Sequence, residues 1–91
     1  MKELKLKQVI QLLDEGKSDE AKILFQNIKE INTVEYWLVK GKLEQKFQNW
    51  SKAINSYNKA IELDENNKEA INNLKIVKNI LNFWNPEMFN P

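Results

Sequence analysis

The chain has 91 residues, with 14 basic and 13 acidic side chains, a formal net charge of +1, and neither cysteine nor histidine. Without cysteine and histidine there are no disulfides, thiol chemistry or imidazole acid–base catalysis and nearly no zinc or copper sites, and because every basic residue is lysine there are no guanidinium forks. The length fits one small domain with a modest core. Its charge is balanced, with eight lysines and eight acids over residues 1–45 and six against five over 46–91, so neither half has the basic excess that nucleic-acid binding requires.

The first segment, Lys2-Glu3-Leu4-Lys5-Leu6-Lys7, interleaves charge with leucine, unlike a secretory signal. Its spacing predicts a helix over about 2–15, with Leu6, Val9, Ile10 and Leu13 on one face and Gly16-Lys17 as the breaker. Ser18 is the expected N-cap of a second helix, about 19–30, which buries Ala21, Leu24, Phe25 and Ile28. Thr33 is placed to cap a third, about 34–46, carrying Tyr36, Trp37, Leu38 and Leu43. Asn49 is placed to cap a fourth, about 50–63, with Trp50, Ala53, Ile54, Tyr57, Ala60 and Ile61 inward. After the loop Asp64-Glu65-Asn66-Asn67, a last helix runs over about 68–84 and stops before Pro86. Short connections make neighbouring helices antiparallel. No apolar run approaches the ~20 residues of a membrane span, and a cytoplasmic protein is expected.

A repeat is visible in this pattern. Ala21-x3-Phe25-x2-Ile28 recurs 32 residues later as Ala53-x3-Tyr57-x2-Ala60, and Gly16-Lys17-Ser18 has its counterpart in Gln48-Asn49-Trp50. With Trp37 and Gly41 in the preceding helix, the second copy resembles the tetratricopeptide repeat, an antiparallel helix pair with a W-x2-L-G-x2-Y, A-x3-F, P signature. Lys40, Glu44 and Glu65 depart from it where the family prefers Leu, Tyr and Pro. In the first copy Lys5 and Val9 replace the Trp and Gly. The period is 32 rather than about 34, which predicts a tighter turn at Asn32-Thr33.

The resemblance implies an all-α, right-handed superhelical α-solenoid of about five helices. One domain over 1–84 would hold repeat one (about 2–33), repeat two (about 34–67) and a capping helix (about 68–84), with a tail at 85–91. It also implies a concave groove for a peptide or helix, lined by Leu6, Ile10 and Leu13, then Leu38, Lys42 and Gln45, then Asn72, Ile76 and Asn79. Apolar Leu6, Ile10 and Leu38 stand where a subset of the family grips a carboxy-terminal carboxylate with polar donors, which argues against such a clamp. The bland reading of these leucines is that they seal the core.

The last helix is apolar over an unusually wide arc. Ala70, Ile71, Leu74, Val77, Leu81 and Trp84 form one face, and Ile76, Ile80 and Phe83 extend it, broken by Glu69 and Asn73. One-sided packing needs about 100° of arc, and a terminal repeat ordinarily ends on a polar face. A second copy of the chain, the tail with its Met88 and Phe89, or another protein could cover this stripe. The candidate interface is therefore Ile76, Ile80, Phe83, Trp84, Met88 and Phe89. Asn49-Trp50-Ser51 reads as a helix cap rather than a glycosylation site. Ser56-Tyr57-Asn58-Lys59 lacks the partners of an S-x-x-K enzyme. Asp64-Glu65-Asn66-Asn67 lacks the glycine and closing glutamate of a calcium loop. The expected function is protein–protein interaction, with another protein or with itself as a homodimer. No catalysis, cofactor, metal, nucleic acid, membrane or small-molecule substrate is expected.

Overall fold

The computed structural model of the chain describes residues 2–84 in backbone and residues 3–83 in side chain. Over that range it is all-helical, in the order α1 (Lys2–Asp14), α2 (Ser18–Gln26), α3 (Val34–Lys46), α4 (Trp50–Leu63) and α5 (Lys68–Trp84). The tail and the side chains of Trp84, Met88 and Phe89 lie outside the described residues.

The chain leaves α1 and α3 by the same turn. After α1, Lys17 N–H donates to Leu12 O (2.8 Å) and Gly16 N–H to Leu13 O (3.1 Å). After α3, Asn49 N–H donates to Glu44 O (2.8 Å) and Gln48 N–H to Gln45 O (3.0 Å). Both are Schellman closures, which satisfy the orphan carbonyls of the last turn and require one residue in the left-handed region. That residue is Gly16 at φ 78° in the first copy and Gln48 at φ 62° in the second, at the register of the sequence repeat.

This geometry displaces one expected cap and leaves another, Asn49, in its N-cap position without a side-chain bond. Lys17, not Ser18, occupies the N-cap position of α2, and neither it nor Asn49 before α4 makes a side-chain capping bond. Each also closes the preceding turn, which holds it near φ −90° with ψ 62° and 73°, away from the extended backbone typical of a capping side chain. Thr33 is extended (φ −122°, ψ 156°), and its hydroxyl accepts from Tyr36 N–H at 3.2 Å. Asn67 likewise caps α5, accepting from Ala70 N–H at 2.9 Å.

The shortened period is taken up before the turn at Asn32-Thr33, which itself closes tightly, with Thr33 N–H donating to Ile31 O at 2.9 Å. α2 has 9 residues against 14 in α4, and the connection to α3 occupies 27–33. Asn27 ends the helix early, because its N–H reaches back to Leu24 O and its side-chain amide donates to Ile23 O at 3.3 Å. The segment is pinned by the buried Ile28 and by Trp37 Nε1 donating to Asn32 Oδ1 at 3.0 Å.

α3 is the hub. It contacts all four other helices, whereas α1 and α2 reach neither α4 nor α5. Tyr36, Trp37, Leu38, Val39, Gly41 and Leu43 are all buried, so α3 is enclosed on most sides and shows little one-faced periodicity. Trp37 meets Lys59 while Gly41 meets Tyr57; ascending numbers on one helix face descending numbers on the other, so α3 and α4 are antiparallel. A Cβ on Gly41 would overlap the ring of Tyr57, which is itself fully buried.

Overpacking of this kind costs roughly 1–3 kcal/mol, and the better helix propensity of alanine returns about 1. Gly41→Ala is therefore expected to lower Tm by several degrees in thermal denaturation. Gln48→Gly removes left-handed strain worth about 1 kcal/mol and is expected to raise Tm by a few degrees. A neutral Gly41→Ala would mean the Tyr57 ring is not wedged, and a destabilising Gln48→Gly would contradict the turn geometry.

Candidate interaction surface

The residues expected to line one groove fall in two clefts whose α3 residues Glu35, Lys42 and Lys46 share one face of that helix. Leu6 and Ile10 line a cleft of about 310 Å³ between α1 and α3, together with Glu3, Lys7 and Glu35. Leu6 is 3% exposed, so most of its side chain is core and only an edge reaches this cleft. Leu38 is buried in the core and Leu13 packs against it at partial burial. Lys42 and Gln45 line a second cleft of about 380 Å³ with Lys46, Gln48, Trp50 and Asn73.

α5 enters this second cleft one residue away from the expected register. Asn72 and Asn79 are exposed and line neither cleft. Asn73 lines the cleft, and one turn before it Glu69 forms an ion pair with Lys42 of α3. At about 100° per residue, Glu69, Asn73, Ile76, Ile80 and Phe83 fall within an arc of about 80°. The two polar residues that interrupt the apolar arc of α5 are thus the ones that meet α3, and the apolar stripe continues the same face beyond them. Ile76 is 48% exposed, Phe83 is 76% exposed, and Ile80 is partly buried.

Gln48, Trp50, Lys46 and Asn73 were not legible as site residues. Gln48 and Trp50 flank the turn and are brought to the cleft only by the left-handed closure. For Asn73 a signal existed in the spacing Glu69, Asn73, Ile76, Ile80.

Tyr57 ties the core to this surface. From full burial its hydroxyl donates to Gln45 Oε1 at 2.8 Å, which orients the Gln45 amide on the cleft wall. The Lys42–Glu69 pair is partly exposed, with 32% and 48% of the side chains accessible. Such a pair contributes under about 1 kcal/mol, so its main effect is to align α5 with α3.

On the other flank of α3, Lys40 and Glu44, two of the departures from the repeat signature, share a third cleft with Trp37, Lys52, Asn55, Ser56 and Lys59. Lys59 stands over the Trp37 ring at 5.3 Å, while one buried carboxylate oxygen of Glu44 has no hydrogen-bond partner. Ser56 is buried and donates to Lys52 O at 3.0 Å, so its hydroxyl is engaged in the helix. Among the described residues no three acidic side chains converge as a metal set, and no helix is long and apolar enough to cross a membrane.

Compared with known protein families, curated proteins and solved structures, the chain matches none of them.

Burial, and secondarily the negative charge of Glu69, push the Tyr57 phenol well above its ordinary 10.0. Tyr36 is raised by burial and by Glu30. A raised phenol stays neutral in the folded state while the unfolded chain ionises near 10.0. The resulting stabilisation is fully present below pH 10 and is lost as pH rises above it. Helicity and 295 nm phenolate absorbance are expected to change in one coupled transition above pH 10, and Tyr57→Phe should weaken that pH dependence. Both tyrosines ionising near pH 10 with helicity intact would contradict this.

Proposed function

We propose that the chain is a non-catalytic protein–protein interaction module of the tetratricopeptide kind, a small cytoplasmic scaffold or adaptor. On this reading its helix pairs stack as a right-handed α-solenoid over 1–84, α5 closes the stack, and a peptide or helix of another protein is bound along α3 and α5. The stacking reading is supported by the duplicated Schellman turns, by the wedge of Tyr57 against Gly41, and by helices that touch only near neighbours in the chain.

One observation carries the functional reading. Ile76 and Phe83 are large apolar side chains left substantially exposed on the face of α5 that also carries Glu69 and Asn73. Contiguous exposed apolar surface is a mark of interaction sites. Self-association through the same stripe is the second reading, since a two-fold axis can bury one such stripe against its copy.

Ile76→Asp combined with Phe83→Asp changes two exposed positions, so the circular dichroism spectrum should stay helical. Association, measured by light scattering behind size exclusion and by capture of partners, should be lost. Unchanged association in the folded variant would exclude this stripe as the interface. Wild-type dimers that form over a hundredfold concentration range and vanish in the variant would favour the homodimer.

A further inference from the structure

The α3–α5 cleft and the stripe on α5 have complementary chemistries and adjoin along one helix face. The cleft is lined by Lys42, Lys46, three side-chain amides and the Trp50 ring, with the Glu69 carboxylate paired to Lys42 at its edge. Lys42 is engaged by Glu69, whereas Lys46 forms no ion pair with a described residue. Gln45 accepts from Tyr57 through Oε1, so its amide nitrogen remains a donor. α4 begins beside Gln48 and Trp50 with no side-chain cap and no acid in its first turn, which leaves its positive dipole end uncompensated. Each of these features favours a negative group in the cleft. One turn further along α5, Ile76 and Ile80 offer only apolar surface.

We propose that this surface binds a short peptide segment of a partner protein in which an acidic side chain lies next to large apolar side chains. The carboxylate sits in the cleft against Lys46 and the amides of Gln45, Gln48 and Asn73, and the apolar side chains lie on Ile76 and Ile80. The proposal rests on the interaction-module reading and names the partner chemistry of that site. Charge complementarity chooses this occupant: a basic segment would meet Lys46, and a purely apolar one would leave the cleft's donors unpaired.

The test is selection of displayed random peptides on the full chain, followed by fluorescence anisotropy with a labelled selected peptide. Selected sequences are expected to be enriched in Asp or Glu beside Leu, Ile, Phe or Trp. Lys46→Glu, an exposed change that leaves helicity intact, should weaken the peptide about tenfold. Lys46→Gln should weaken it less, and Ile76→Asp should abolish binding. Peptides selected without acidic enrichment, or bound equally by Lys46→Glu, overturn this inference and leave the interaction-module reading standing. No selection above background overturns the inference, while partner capture or dimerisation lost in Ile76→Asp/Phe83→Asp would still support the broader reading. Dimers dissolved by Ile76→Asp would put a second copy on the surface and overturn the assignment. So would Ile76 and Ile80 methyl signals that shift, at every concentration, when Met88 and Phe89 are replaced by serine, because the chain's own segment would then be the occupant.

Discussion

The close approach of α3 and α4 at Gly41 is the constraint on which the rest depends. With no side chain at that position, the Tyr57 ring lies directly on the α3 backbone and is sealed from solvent. Ring packing at this density is intolerant of even one added carbon. The same ring sends its hydroxyl through to Gln45 on the cleft wall. A core contact thereby fixes the position of a surface amide, and the distance between α3 and α4 sets where α5 can lie against both.

Around that contact the architecture is built from local events. Two turns of identical hydrogen-bond pattern redirect the chain after α1 and after α3, although one uses glycine and the other glutamine. Glutamine in the left-handed region costs about 1–2 kcal/mol, and its side chain is placed in the cleft beside Trp50. The first copy deviates where Asn27 diverts α2 into an early stop. The following segment recovers the buried contacts that a longer helix would make, through Ile28 and the Asn32–Trp37 hydrogen bond.

The surface chemistry follows from how α5 is seated. Glu69 and Asn73 face α3, so Ile76 and Ile80 extend the cleft rather than form a separate end plate. A polar, donor-rich recess then runs into an apolar strip on a single helix face. Under the proposed function, affinity would come from the apolar strip and orientation from the polar recess.

Most of the fold was legible in the sequence. Starts and ends of α3 and α4 and the start of α5 follow from their apolar spacing and from Thr33, because these signals act within a few residues. The burial of Ala21 and Ala53 and of Phe25 and Tyr57 was legible in their 32-residue spacing, because core positions restrict side-chain size. The cap at Ser18 was misread, and Asn49 holds its N-cap position without a side-chain capping bond, since residue type suggests capping while the preceding turn decides backbone angles. Leu6 and Leu38 carry the same apolar signal whether they face a groove or a core, and only packing against other helices buries them. Which face of α5 meets α3, and hence the joining of Lys46, Gln48, Trp50 and Asn73 into one cleft, was decided by tertiary structure. Periodicity specifies that a helix has faces, but the neighbour each face meets depends on contacts between residues far apart in the chain.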